Sequence, residues 1–249
     1  MFNYSFNKSN GALVVFDWFL LCFNAGSINA GGFLTAGRFV SHVTGFATLF
    51  GVDLVSDQPE NSLEILSVPI FFLFGSFLSG ILIDRPIFRG KKPHFDYIMG
   101  LSAFCLFLVS FGKLTHLERM GEFINLETVY LRLALLCFAC GLQNGAVTSS
   151  SGSSVRTTHL TGLTTDLGLG IAKLFTYSSN DDRYLKERRA NLLRLGSMCS
   201  FILGSVVGAW TIVQFGYRGF YLPALIALYA AWHGRKLKLT PHKEPVITG

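Results

Sequence analysis

The chain has 249 residues; half are hydrophobic, only 14% are charged, and the mean hydropathy is +0.44. A soluble domain carries about a quarter charged residues, so a water-soluble core is excluded and an all-α protein embedded in a lipid bilayer is expected. The net charge of +6 sits in short loops between apolar runs, which reads as membrane topology and not as a nucleic-acid surface.

The first apolar run covers 12–36 and contains Asn24-Ala-Gly-Ser-Ile-Asn-Ala-Gly-Gly. Only Lys8 precedes it and further apolar runs follow, so it reads as a first helix and not as a removed leader. A short run at 43–56 comes next, then 66–83 and 97–112. The second half repeats the order: 129–147, a short Gly- and Thr-rich run at 160–176, then 195–215 and 219–233. Each crossing needs roughly 20 residues.

Charge orients these runs. Arg85, Arg89, Lys91 and Lys92 follow the third run. Arg183, Lys186, Arg188, Arg189 and Arg194 surround the start of the seventh. Arg235, Lys236, Lys238 and Lys243 form the tail. The positive-inside rule makes all three cytoplasmic. The acidic loop 57–66 and the loop 113–127, with Lys113 and Arg119 against three Glu, read as external. Between 113–127 and 178–194 the chain must then cross an odd number of times, yet two apolar runs lie there. One is re-entrant, or the two make one broken crossing. The same holds for the first two runs. Six crossings result, with both termini cytoplasmic.

The halves resemble each other. His42-Val-Thr-Gly45 returns as His159-Leu-Thr-Gly162, and Gly51 and Gly168 follow at equal spacing. Asn29 matches Asn144, Gly37 matches Gly152, and Ser76-x-x-x-Gly80 matches Gly204-x-x-x-Gly208. Such small-residue spacing lets helices approach closely. The chain reads as a single transmembrane domain, 1–249, with a first repeat at 12–112, a second at 129–234 and a tail at 235–249. Three crossings per repeat invert the second against the first, the plan of many secondary transporters.

Two polar breaks interrupt the repeats, at 24–45 and 143–162. Irregular backbone at membrane depth is tolerated inside protein or along a wet cavity. Free N–H groups at a half-helix start favour an anion, and free C=O groups at an end favour a cation. Alternatively the Ser-rich run is an exposed loop. Arg38 and Arg156 are expensive in lipid and together favour an anionic group, unless both snorkel to the interface. His42 and His159 titrate near neutral pH and suit proton relay, or they cap helices. Asp53 and Asp166 can pair with the Arg residues or hold a coupling cation, Asp166 being the better placed. Asp17, beside Trp18, reads as an interface residue. The expected solute-binding set is Asn29, Arg38, His42, Thr44, Gln143, Asn144, Arg156, His159, Thr161 and Asp166. The five Cys lie in apolar runs and are expected as buried thiols without disulfides; Cys137-x-x-Cys140 has redox spacing, but a buried thiol keeps its proton. No enzyme signature, metal-ligand cluster or cofactor motif is present.

Ala25-Gly-Ser-Ile-Asn-Ala-Gly-Gly-Phe33, Phe39-Val-Ser-His-Val-Thr-Gly45, Gly141-Leu-Gln-Asn-Gly145 and Thr157-Thr-His-Leu-Thr-Gly162 together resemble the YoaK-like family of bacterial multi-pass membrane proteins of unknown function. The resemblance covers nearly the whole chain. It implies six crossings in the bacterial cytoplasmic (inner) membrane and supplies no substrate. Relatives commonly have Asp at position 29 and Asn at position 46, where this chain has Asn29 and Phe46. The function expected is a secondary transporter or permease for a small polar solute, an anion among the candidates, with the bilayer as its surroundings and a homo-oligomer left open. The alternative is a non-transporting membrane protein: a sensor, an assembly partner or a lipid-binding module.

Overall fold

The computed structural model describes residues 11–55, 62–111, 126–153 and 155–236. All regular structure among them is helical. In chain order it comprises α1 (Gly11–Ala36), α2 (Val43–Leu54), α3 (Ser62–Phe88), α4 (Phe95–Ser110), α5 (Leu126–Ser150), α6 (Leu160–Thr176), α7 (Asp182–Phe215), a 3-10 turn (Gly216–Phe220) and α8 (Tyr221–Lys236). Four stretches are long and apolar enough to cross a membrane: Gly11–Ala36, Pro69–Phe88, Val129–Ser150 and Asp182–Arg235, the last spanning α7, the turn and α8. Large apolar side chains such as Leu73, Phe77, Leu203 and Val206 point outward, as lipid-facing residues do. The sequence calls on 57–61, on 112–125 and on the tail from 237 lie outside the described residues.

Two boundaries differ from the sequence reading. The Gly- and Asn-rich stretch 24–32 does not interrupt α1, and Gln143–Ser150 belongs to α5. The true breaks are shorter: 37–42 and 151–159. Glycine lowers helix propensity, but here it removes side chains where another backbone arrives. A Cβ on Gly26 would land on the Phe201 carbonyl, and one on Gly31 would meet the Phe220 ring at 2.8 Å. Secondly, the basic stretch 182–194, read as loop, is the first third of α7. Asp181 caps it, its carboxylate accepting from Arg183 N at 2.8 Å. The half-helix α6 packs along this extension, where Glu187 receives Arg194 at 2.7 Å and Lys173 at 3.4 Å.

The packing comes in matched pairs. α1 lies along α7, and α3 lies along α5. In the first pair, a Cβ on Gly26 would meet Phe201 O, one on Gly204 would meet Phe23 O, and Ser205 Oγ donates to Gly26 O at 3.3 Å. In the second, Gly141 faces Phe72 O, Gly75 faces Phe138 O, and Ser76 Oγ donates to Gly141 O at 3.2 Å. The common element is Phe-x-x-Gly on each of the four helices. The matching register is therefore Gly75-Ser76 with Gly204-Ser205, one residue off the Ser76-to-Gly204 alignment read from sequence. The physical reason is that the glycine must sit at the crossing, and the serine after it reaches the facing carbonyl. α2 packs on α3 as α6 packs on α7, and α4 packs on α8. Asn24 meets Gln143, and Trp18 meets Ser150, so α1 and α5 run in opposite directions.

Four of the five thiols, at Cys22, Cys105, Cys137 and Cys140, are buried and free. Cys199 is free but exposed on the outer face of α7, contrary to the expectation that all five are buried. It sits on the side of that helix turned away from α1.

Candidate functional site

Each break begins where a helix ends in a left-handed glycine. Gly37 has φ 67° and Gly152 has φ 58°, a conformation that glycine adopts without the cost of a Cβ. The chain then folds back to the depth of an asparagine in the preceding helix. Asn29 Oδ1 accepts from Ser41 N at 3.2 Å and Ser41 Oγ at 3.0 Å. Asn144 Oδ1 accepts from Thr157 N at 3.1 Å and Thr157 Oγ1 at 3.3 Å. The same two-bond clamp thus holds the segment before α2 and the segment before α6. The second break is longer, and Ser151 braces it, its Oγ donating to Val155 O and accepting from Val155 N, both at 3.0 Å.

The His-x-Thr-Gly motif explains itself at this point. His42 is the N-cap of α2 and His159 the N-cap of α6. The imidazole lies back over the first turn, against the glycine three residues on: a Cβ on Gly45 would stand 2.6 Å from His42 Nδ1, and one on Gly162 would strike the His159 ring. Neither histidine makes a side-chain cap hydrogen bond. The first helical bonds are Phe46 N to His42 O and Leu163 N to His159 O. The N–H groups of the preceding three residues in each helix therefore have no partner within the helix. Each N-terminus carries roughly half a positive charge.

Both N-termini line one cleft of about 330 Å³, bounded by Ser41, His42, Val43 and Thr44 on one side and Arg156, Thr158, His159, Leu160 and Thr161 on the other, with Phe72, Asn144 and Thr148 between them. Arg156 Nη1 donates to His159 Nδ1 at 3.1 Å. Arginine has no acceptor, so Nδ1 must accept and the His159 proton rides on Nε2. The cleft thus gathers a guanidinium, two helix N-termini and several hydroxyls, with no carboxylate on its walls. Donors converge on the cleft and the local field there is positive.

Of the ten expected residues, His42, Thr44, Asn144, Arg156, His159 and Thr161 line this cleft. Asn29 stands behind it, clamping Ser41. Arg38 lines a neighbouring cleft of about 370 Å³ with Phe33, Phe39, His42 and Thr48, so the two arginines do not share one pocket. Gln143 is elsewhere: it is fully buried in the helix core, accepting from Asn24 Nδ2 at 3.2 Å and donating to Ser102 Oγ at 2.8 Å. Asp166 is exposed beyond the first turn of α6 and lines none of the three principal cavities. Thr148 and Thr158 are the residues that sequence reading missed. Thr148 Oγ1 is buried beside the cleft and has no hydrogen-bond partner among the described residues. Its spacing of four from Asn144 is the signal, since those positions share a helix face. Among the described residues no cluster of three metal-ligating side chains occurs.

No curated protein and no solved structure matches the chain. Over residues 18–233, which include both breaks and all of the helices that frame them, the sequence matches the model of DUF1275, described as a protein of unknown function, and the chain belongs to that family.

Proposed function

We propose that this protein is a permease for a small inorganic or organic anion, with the cleft between the two breaks as its binding site. The observation that carries the reading is the convergence of the α2 and α6 N-termini on one cleft that also holds Arg156. Two half-helices starting near mid-depth make a positive centre without burying a lone charge in lipid. In this reading α1, α3, α4, α5, α7 and α8 are six crossings, and α2 and α6 are re-entrant half-helices. The two halves are inverted copies, which the matched glycine crossings and the opposed directions of α1 and α5 support. An inner-membrane location in a bacterium with cytoplasmic termini completes the picture. Arg156, Thr44, Thr161, Asn144 and Thr148 bind the solute, and His42 and His159 seat the helix starts.

The test is uptake into proteoliposomes of a panel of labelled anions, including phosphate, sulfate, nitrate and formate, each beside a neutral analogue. At least one anion is expected to enter, its neutral analogue is not, and Arg156→Ala is expected to cut that uptake at least tenfold. Arg38→Ala, in the neighbouring cleft, is expected to cut it less. Uptake that is indifferent to Arg156→Ala, or equal for anion and neutral analogue, refutes the assignment.

A further inference from the structure

The end of the bundle away from α2 carries a buried ion pair that the anion cleft does not use. Asp17 on α1 and His233 on α8 meet at 2.6 Å between Oδ2 and Nδ1, and both side chains are only 13% exposed. The sequence reading made Asp17 an interface residue; in the structure its side chain packs against α8. Its second oxygen, Oδ1, is buried and has no hydrogen-bond partner among the described residues. Beside it lies a cavity of about 60 Å³, walled by Trp18 and Leu21 of α1, Met99 of α4, Ala146 and Ser150 of α5 and Ala230 of α8. An ionisable pair inside a membrane domain is costly and is kept for a purpose.

We infer that Asp17 and His233 form the binding site for a coupling proton, which links proton movement to the anion cleft. The inference rests on the permease reading. With the proton bound, the pair is shared between Oδ2 and Nδ1 and is neutral overall as an Asp carboxylate with a His imidazolium. Release of that proton leaves neutral His233 and one uncompensated negative charge on Asp17. Among the described residues Asp17 makes no second ion pair. On α8, Arg235 is held by Asp96 of α4 at 3.1 Å, and Lys92 Nζ donates to Arg235 O at 3.0 Å. Tyr229 stacks on the His233 ring. The wall supplied by α5 has Ser150 but no titratable group. At the same level on α7, marked by the Phe19 contact with Gly196, Arg194 is committed to Glu187 and Asn191 against α6. The apolar cavity gives the pair room to rearrange.

A direct physical link joins this pair to the cleft. Trp18, the neighbour of Asp17, donates from Nε1 to Ser150 Oγ at 3.2 Å. Ser150 is the last residue of α5, and Ser151 holds the second break through Val155. Arg156 follows directly. A shift of α1 against α5 at Trp18 therefore reaches the residue that binds the anion. One proton bound here and one anion bound in the cleft move together, so the process transfers no net charge for a monovalent anion.

Two measurements test this. Infrared difference spectra of protein in lipid nanodiscs, taken across a pH series, should show an imidazolium-to-imidazole change accompanied by a shift of the paired carboxylate stretching bands, and Asp17→Asn should remove that coupled carboxylate shift. In proteoliposomes loaded with a pH-sensitive dye, an inside-alkaline gradient should accelerate uptake of the transported anion at least tenfold and acidify the lumen with it. Asp17→Asn should keep uptake down the anion's own gradient and lose the acceleration. His233→Lys, which retains a cation opposite Asp17 but holds its proton, should lose it too. Wild-type anion uptake that ignores the pH gradient, or acceleration surviving in both variants, overturns the coupling while leaving the permease standing. If no anion moves at all, the permease reading falls, and the infrared titration decides the proton site alone: an Asp17-dependent band supports it and none refutes it.

Discussion

The two glycine crossings are the strongest structural claim, and Gly141→Ala tests it with opposing effects of known size. In a helix interior, replacing glycine by alanine gains about 1 kcal/mol of backbone propensity. At Gly141 the new Cβ would land on the Phe72 carbonyl oxygen, with Phe72 C at 3.0 Å and Cα at 3.1 Å behind it. These are backbone atoms, so no side chain can swing away. The helices must part by about an ångström to restore ordinary contact, and the Ser76 Oγ to Gly141 O bond of 3.2 Å lengthens with them. Overpacking of this kind costs about 1–3 kcal/mol, and the weakened hydrogen bond about 0.5–1.5 kcal/mol. The loss outweighs the gain by about 1–3 kcal/mol, which lowers Tm by about 2–4 °C per kcal/mol in a chain of this size. Gly168→Ala is the control: it lies in α6 with nothing within 4 Å of its Cβ, so only the propensity gain of up to about 1 kcal/mol acts. Thermal unfolding of both variants in detergent, followed by circular dichroism, should move Tm in opposite directions. Equal shifts of the same sign would refute the close approach of α3 and α5.

The asparagine clamps should rank by burial. Asn144→Ala strands the amide and hydroxyl of Thr157, which is 1% exposed, at a cost of about 1–3 kcal/mol; Asn29→Ala strands Ser41, which is only half-buried and can turn to water, so its Tm should fall less, and the reverse order would contradict the geometry. Asp181 supplies a pH dependence outside the membrane segments: its hydrogen bonds with the Arg183 side chain and backbone hold its carboxyl below the usual range. A depressed folded-state value means that the capping contribution is complete above about pH 4 and is lost as pH falls through the lowered value. Asp181→Asn should therefore flatten the acid limb of a Tm-against-pH curve and leave the neutral region nearly unchanged.

How far the sequence revealed this follows from which interactions are local. The His-x-Thr-Gly motif was legible because capping is settled within four residues, and both half-helices begin where the motif places them. The hydrophobic runs also located the apolar helices, since each run is long enough to form one. What could not be read was whether a glycine ends a helix or lets one pass. Gly26 and Gly37 lie in similar surroundings in the chain; one faces a carbonyl of α7 and the other has φ 67°, and only the partner helix distinguishes them. The same gap moved Gln143 from the site into the core, because its partners Asn24 and Ser102 come from α1 and α4. The early start of α7 was hidden by its charge, although Asp181 followed by a run of good helix formers is an ordinary helix beginning.

The frame is nearly symmetric, and the charge in it is not. Gly37 precedes His42 by five residues, whereas Gly152 precedes His159 by seven. One of the two additional residues falls between the glycine and the clamp residue, Thr157 against Ser41, and the other between the clamp residue and the histidine; Arg156 stands three residues before its histidine and bonds to it, while Arg38 stands four before and turns to the adjoining cleft. The pairing of half-helices sets up a positive centre that any member of such a frame would share. The longer second break then places a guanidinium on one side of that centre. For the anion proposed to bind there the walls are unequal, one made of backbone N–H groups and Thr44, the other adding Arg156. That inequality falls on the break braced by Ser151, next to the Ser150 that accepts from Trp18, which is the side of the proposed Asp17–His233 proton site. Ser150, which accepts from the Trp18 beside Asp17, and Arg156, which follows the end of α5, thus lie at the same end of that helix, as the proposed coupling requires.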